Sequence, residues 1–322
     1  MNIRTLMAAA AAFAFSLTNT AHAATASPFP QQPVKLVVVY QAGGANDIVA
    51  RVLAEHMTTT LGKPVMVVNK PGAAGAIGAQ FVVNSVADGH TVLMGGAPLV
   101  VARALYKDPA VDFRDSLAAV GKAVTLNLAL VARKAFPADS FKQVIEMERK
   151  QPGNVTMAIT ASTYELYFER LNTLAGTDML KIRYSGVPSA MQDLNGDRVD
   201  LLIDTVAAQQ PFLGTSTKPL AVFGAQRLPS MPEVPTLREI GLKGFDDQPY
   251  IGMLVPKATP AATIQTLNAS LNAALSDPGV KKRLEALYFT VTPSTPDAFY
   301  KEMESDSAKL LKVAEQAKIE KQ

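Results

Sequence analysis

The 322-residue chain has no cysteine, no tryptophan and only three histidines. Without cysteine it can form no disulfide, offers no thiol nucleophile and has no N-terminal site for lipid attachment, so its core must hold it together unaided. The histidines do not point to a metal site: His22 lies in the N-terminal segment discussed below, His56 on the exposed side of a helical pattern and His90 in an Asp88-Gly-His turn. None belongs to a His-Glu-x-x-His spacing, and there is no Gly-x-Ser-x-Gly elbow. Neither sign of charge dominates. Lys and Arg number 31 against 28 Asp and Glu, for a net charge of +3, which excludes the clustered basic footprint of nucleic-acid or membrane-surface proteins. Beyond residue 24 no run is long and apolar enough to span a bilayer.

What is present starts with an apolar N-terminus. Residues 1–5 carry one charge, Arg4; residues 6–17 are apolar, with alanines at 8–12 followed by Phe13 and Phe15; and Ala21-His22-Ala23 fits the small-x-small rule. This pattern reads as a secretory signal cleaved after Ala23, its apolar run being shorter than the roughly 20 residues that span a bilayer. The remaining chain, close to 300 residues by this reading, suffices for one large or two medium domains.

Short β-rich runs then alternate with helical patterns. Residues 35–40, 65–68 and 91–94 read as strands, with helices over 47–61 and 75–86 between them. On the first helix Ile48, Val52, Leu53 and Met57 share a face, and Gly62 stops it. Strand–helix–strand spacing of this kind implies right-handed crossovers and a parallel sheet. The grammar recurs with strands at 155–159, 199–203 and 220–223 and helices at 163–174, 187–194, 261–275, 280–287 and 296–317. There is also an internal echo. Residues 126–131 and 250–255 both read as a strand followed by a proline-bearing loop and a helix. Two such strands could carry the chain from one lobe to another and back, giving lobe one as 28–124 plus 252–322 and lobe two as 125–251. Alternatively both are ordinary strand–helix units of one sheet.

Two strand-to-helix turns carry the candidate chemistry. Tyr40-Gln-Ala-Gly-Gly-Ala-Asn-Asp47 would present free backbone N–H groups at the positive end of a helix, and Gly43 and Gly44 would let a ligand approach the main chain. Such a turn suits a carboxylate or phosphate, or is a plain turn with Asp47 capping its helix. It is neither a Walker loop nor a dinucleotide fingerprint. Thr160-Ala-Ser-Thr163 offers the Ser162 and Thr163 hydroxyls at a second helix start, as an anion site or as simple N-capping. Asp204, at the end of an apolar strand, lines a crevice or caps a turn. Pro71-Gly-Ala-Ala-Gly-Ala-Ile-Gly78 reads as small residues for tight helix–sheet packing. Ser162 as a nucleophile lacks any identifiable base, so no catalysis is expected.

Several further motifs stand in register with a known family: Pro33-Val-Lys-Leu-Val-Val-Val39, Ala42-Gly-Gly-Ala-Asn-Asp-Ile-Val-Ala-Arg51, Leu61-Gly-Lys-Pro-Val65, Asn69-Lys-Pro-Gly72, Ala87-Asp-Gly-His90, Tyr184-Ser-Gly186, Leu194-Asn-Gly-Asp-Arg-Val-Asp200, Leu228-Pro-Ser-Met-Pro-Glu-Val-Pro-Thr236 and Glu239-Ile-Gly-Leu242. Through them the chain resembles, over residues 30–319, the substrate-binding receptors of tripartite tricarboxylate transporters, the Bug-type proteins of bacterial periplasms. The resemblance implies an α/β, two-lobed periplasmic binding protein fold (type II-like) with two crossing hinge strands, and a periplasmic location. It implies a small carboxylate ligand, dicarboxylate or aromatic, delivered to the membrane permease subunits of such a transporter; the other reading is a ligand-sensing module feeding a sensor kinase. A monomer is expected, without cofactor, metal or nucleic acid. The family's two loops correspond to residues 42–45 and 161–163, holding one ligand carboxylate partly through ordered water, and Asp204 to an acidic residue near the pocket. Glu165 stands where the family usually has His, Tyr250 where it commonly has Trp, and the loop near Lys107-Asp-Pro-Ala110 is shorter than usual. The expected ligand-binding residues are Tyr40, Ala42, Gly43, Gly44, Ala45, Asp47 and Ala97, together with Ala161, Ser162, Thr163, Glu165, Asp204 and Tyr250. A charged Glu165 would repel a dianion unless it points away or binds a donor.

Overall fold

The apolar run over residues 34–39 is divided by strand periodicity between two faces. In β1 (Val34–Val38) the side chains of Val34, Leu36 and Val38 join one buried cluster and Val37 joins another. A strand apolar on both faces must be covered on both, and helices supply the cover. The computed structural model describes residues 29–246, 248–316 and 319–321; the expected signal and its cleavage after Ala23 lie outside them.

The chain continues with α1 (Ala45–Leu61), stopped by Gly62 in the left-handed conformation, then β2 (Val65–Asn69), α2 (Ala76–Val83), β3 (Thr91–Gly96), α3 (Ala97–Leu105), the short α4 (Phe113–Ser116) and β4 (Leu117–Leu126). Next come β5 (Leu128–Arg133), α5 (Phe141–Lys150), β6 (Thr156–Ile159), α6 (Ser162–Ala175), β7 (Leu180–Arg183), α7 (Val187–Asn195), β8 (Leu201–Thr205), the short α8 (Val206–Gln209) and β9 (Thr217–Val222). The last stretch is β10 (Tyr250–Pro256), α9 (Ala261–Ser276), α10 (Pro278–Ala286), β11 (Phe289–Val291) and α11 (Pro296–Gln316).

The strands form two sheets, ordered β11-β4-β10-β3-β1-β2 and β7-β6-β8-β5-β9. Each is the core of one lobe of an α/β, two-lobed binding-protein fold. The strand–helix–strand units are parallel as expected: β1 with β2 and β3, β6 with β7 and β8. The sheets as wholes are mixed. β10 runs antiparallel to β3 and β4, and β5 antiparallel to β8 and β9, because these strands bring the chain into or out of a lobe rather than returning over a crossover helix.

The segment read as one strand over 126–131 spans the junction of the two sheets. β4 ends at Leu126 in one sheet, and β5 begins at Leu128 in the other, with Asn127 between. The return passes through Gln248 and Pro249 into β10. The two passages are tied together: Leu126 N–H donates to Pro249 O at 2.7 Å and Leu128 N–H to Gln248 Oε1 at 3.1 Å. The Asn127 side chain donates to Tyr288 O at 2.9 Å. β4 escapes the sequence pattern because Gly121 and Lys122 interrupt its apolar residues; Lys122 is buried nonetheless, paired with Glu302 at 2.6 Å and lying over the Tyr250 ring.

Among the described residues no helix is long and apolar enough to cross a membrane. α11 closes the first lobe with Phe299, fully buried, its ring meeting Tyr250 edge-on at 5.5 Å and lying over Gly252, where any Cβ would collide with it. Truncating this ring leaves a cavity under the cleft wall. Phe299→Ala is therefore expected to cost about 3 to 5 kcal/mol in equilibrium urea unfolding; a loss within experimental error would show that the wall behind Tyr250 collapses without it.

Candidate functional site

A cavity of about 380 Å³ lies between the lobes. On one side it is lined by Tyr40, Gln41, Gly44, Ala45 and Asn46 from the first turn, with Ala97 and Pro98 at the start of α3. On the other stand Thr160, Ala161, Thr163 and Tyr164, with Gly186, Val187 and Asp204; Leu126, Pro249 and Tyr250 close it at the crossing strands.

The first turn is built by one carboxylate. Asp47, 2% exposed, accepts from Gly43 N at 2.9 Å, from Arg51 Nε at 2.9 Å and Nη2 at 3.0 Å, and from Asn69 Nδ2 at 2.9 Å. These bonds, Arg51's first among them, pull its carboxyl down to about 2. They fold the loop back onto the helix through Gly43 at φ +83°, a conformation that favours glycine. Gly44 is the N-cap and brings no capping side chain. The first intrahelical bond is Ile48 N–H to Gly44 O at 3.0 Å, so the amides of Ala45, Asn46 and Asp47 begin the helix without a carbonyl to bond. The second turn repeats the arrangement. Its N-cap is Ala161, again without a capping side chain, which leaves the Ser162 and Thr163 amides open while Tyr164 N–H turns back to Ala161 O at 3.0 Å. Neither hydroxyl of this turn caps the helix.

Two more helices start at the cavity wall: α3 at Gly96 and Ala97, and α7 at Gly186 and Val187, each with proline at its second position. Gly96, at φ +153°, is required there because any Cβ would strike Tyr250. Four helix N-termini thus converge on one space, each contributing partial positive charge. Among the described residues no Lys, Arg or His lines it, and Asp204 is the single carboxylic acid at the wall. It is 6% exposed, accepts from Thr160 Oγ1 on one oxygen and from Thr205 N at 2.6 Å and Thr205 Oγ1 at 3.2 Å on the other. Burial raises its carboxyl to about 6 against the pull of these donors. The neighbouring Tyr164 phenol is pushed well above its ordinary value, by burial first and then by the Asp204 charge. Among the described residues no cluster of His, Asp or Glu could hold a metal.

Of the expected residues, Tyr40, Gly44, Ala45, Ala97, Ala161, Thr163, Asp204 and Tyr250 meet at this cavity. Five do not. Ala42 is exposed outside it. The Gly43 amide is taken by Asp47, and Asp47 itself is spent on holding the loop. Ser162 lines a smaller adjoining cavity. Glu165 points to the far side of α6, where Lys181 Nζ at 2.7 Å and Arg183 Nη2 at 2.5 Å neutralise it; burial works against its charge, but these donors outweigh it and hold its carboxyl below the usual range. The expected ligand-binding residues left out Gln41, Asn46 and Thr160, although their turns were named, and the start of α7. A usable signal existed for the last: Gly96-Ala-Pro98 and Gly186-Val-Pro188 are the same Gly-x-Pro helix start in the two lobes.

Residues 49–316 match the family described as the tripartite tricarboxylate transporter family receptor. Among solved structures, the chain is similar to the periplasmic binding protein BugD, with 32% identity and a TM-score of 0.78 over 91% of this chain and 100% of that one. It is similar to an R. palustris protein solved with adipate, at 26% identity and a TM-score of 0.82 over 92% of this chain and 100% of that one. A third is MatC from Rhodopseudomonas palustris with bound malate, at 29% identity and a TM-score of 0.75 over 89% of this chain and 100% of that one.

The buried acid makes a prediction of definite sign. The folded protein holds the Asp204 proton more tightly than an unfolded chain, whose carboxyl keeps its ordinary value of 3.8. The charged form therefore costs stability above pH 6, and that cost fades as the pH falls from 6 towards 4. Asp204→Asn removes the cost, so the stability of the variant relative to the parent is expected to be more favourable at pH 8 than at pH 4 by on the order of 2 to 3 kcal/mol. Urea unfolding of both proteins at the two pH values measures the difference; a pH-independent offset would mean that Asp204 is hydrated in the fold.

Proposed function

The chain belongs to the tripartite tricarboxylate transporter receptor family, and we propose that it captures a small carboxylate in the interlobe cavity and delivers it to the membrane permease subunits of such a transporter. The family is one of receptors rather than enzymes. The observation that carries the reading is the pair of uncapped helix starts, one from each lobe, facing the same cavity: Ala45 and Asn46 on one side, Ala161 and Thr163 on the other. Main-chain amides at a helix N-terminus are natural partners for an anion, and a carboxylate supplies the acceptors they lack. The adipate and malate held by two similar proteins support that ligand class.

The proposed cycle starts with the acid docking on the turn at Gly44–Asn46. The second lobe, residues 125–251, then closes on it over the passages at Asn127 and Gln248–Pro249, adding the Thr163 turn. A ligand that touches both lobes favours the closed state by the contacts made only there. A micromolar ligand would supply about −8 kcal/mol in total. The location proposed is the periplasm, after removal of residues 1–23.

The test is a thermal-shift and calorimetric screen of a carboxylate panel against the parent and Gly44→Val. Gly44 has ordinary φ of −77° and room for a Cβ, which would meet only Gln41 O at 3.4 Å, so the variant is expected to fold. At 100 times Kd a bound acid should add about 2.7 kcal/mol to the parent's stability, and Gly44→Val should lose at least about tenfold, 1.4 kcal/mol, in affinity. A folded Gly44→Val that binds its acid as tightly as the parent would remove the first turn from the site.

A further inference from the structure

The Gly-rich turn at residues 71–78 does more than pack. With α3 and the short loop before α4 it encloses a second cavity of about 50 Å³, walled by Ala73, Ala74, Gly75, Ala102 and Val111. This cavity adjoins the first: Pro98 lines both, and Ser162 borders the small one while its neighbours Ala161 and Thr163 border the large one. No charged side chain lines it. Its wall is held in an unusual shape. Ala73 and Ala74 have φ of 46° and 51°, and Gly75 follows at 96°, a left-handed run that alanine rarely adopts and that persists only where the surroundings enforce it.

The size selects what could enter. A cavity of roughly 150 Å³ accepts benzene; a third of that takes two or three carbons and no ring. The charge around both cavities selects as well. Among the described residues a second carboxylate would find no cationic side chain, only Asp204, which is negative. The helix starts farther from the two bare turns are also poorer in donors, since Pro98 and Pro188 each remove an N–H from their first turn.

We propose that the small cavity receives the alkyl end of the ligand, and that the preferred ligand is a short monocarboxylic acid with an uncharged, linear or branched tail. This rests on the carboxylate-capture reading above, with the acid group at the turns of α1 and α6 and the tail passing Pro98 and Ser162. The side chains that matter for the preference are the small ones, because a larger group at Ala102 or Ala110 fills the space.

Isothermal calorimetry of the full chain at pH 7.5 with pentanoate, 3-methylbutanoate and glutarate tests this, using the parent, Ala102→Leu and, should that variant misfold by circular dichroism, Ala110→Leu. Pentanoate or 3-methylbutanoate is expected to bind the parent at least about tenfold more tightly than glutarate, which has the same five carbons and a second carboxylate, and the filled variant is expected to lose at least about fivefold for the monoacid. Glutarate binding as well as or better than both monoacids would overturn the inference and leave carboxylate capture standing, as would a folded variant that binds the monoacid unchanged. Binding of none of the three acids, in a parent that also fails the wider carboxylate panel, would overturn both.

Discussion

Two long helices from different lobes start at one cavity with nothing of their own to satisfy their first amides. That is the constraint on which the rest of the structure depends. A buried or half-buried N–H without an acceptor is costly, and the usual remedy is a Ser, Thr, Asp or Asn at the N-cap. Here the N-caps are Gly44 and Ala161, which cannot provide it. Side chains that could have done so are present close by and engaged elsewhere: Asp47 reaches back to Gly43 and across to Arg51 and Asn69, and Thr160 turns to Asp204. The local sequence thus shapes the loops while leaving their amides facing the space between the lobes.

Placing the two turns opposite each other is the task of the crossing strands. Because β4 runs almost directly into β5, and the return passage lies beside it, the lobes are joined by two adjacent segments hydrogen-bonded to one another. Such a connection ties the two passages side by side, so the turn of each lobe is held in a fixed relation to the strands that lead to it. The antiparallel entry of β5 and β10 into sheets otherwise built of parallel units follows from this route, as does the departure from a wholly parallel expectation.

How much of this was legible depended on whether a residue's partner was itself legible. β1 and α1 declare themselves, since Val34, Leu36 and Val38 alternate and Val52, Leu53 and Met57 recur at helical spacing. The first candidate turn followed from them. Glu165 shows the opposite case. Its position near the second turn could be read, but its direction is set by Lys181 and Arg183 on β7, an edge strand of only four residues whose Leu-Lys-Ile-Arg alternation is too short to stand out. Asp47 failed similarly. A carboxylate at a helix start reads as a cap or a ligand contact, and only the approach of Arg51 and Asn69 makes it a loop support. The start of α7 was missed because a Gly-x-Pro helix start gains meaning only beside its counterpart at Gly96.

The absence of cations from the cavity changes how specificity can arise. A guanidinium or ammonium attracts any anion from a distance, and salt screens that attraction. Helix-start amides act within about one turn and demand an acceptor at hydrogen-bonding distance. A cleft that relies on them reads the shape and the number of acid groups rather than total charge. Asp204 sharpens the reading. Burial already strains its charge, so a second negative group brought beside it in the same low-dielectric space would raise that strain further, whereas an uncharged group would not. On the proposed reading, the acid at the wall and the dipoles around it act in opposite senses on a ligand: the dipoles would draw one carboxylate in, and Asp204 would set the terms for whatever is attached to it.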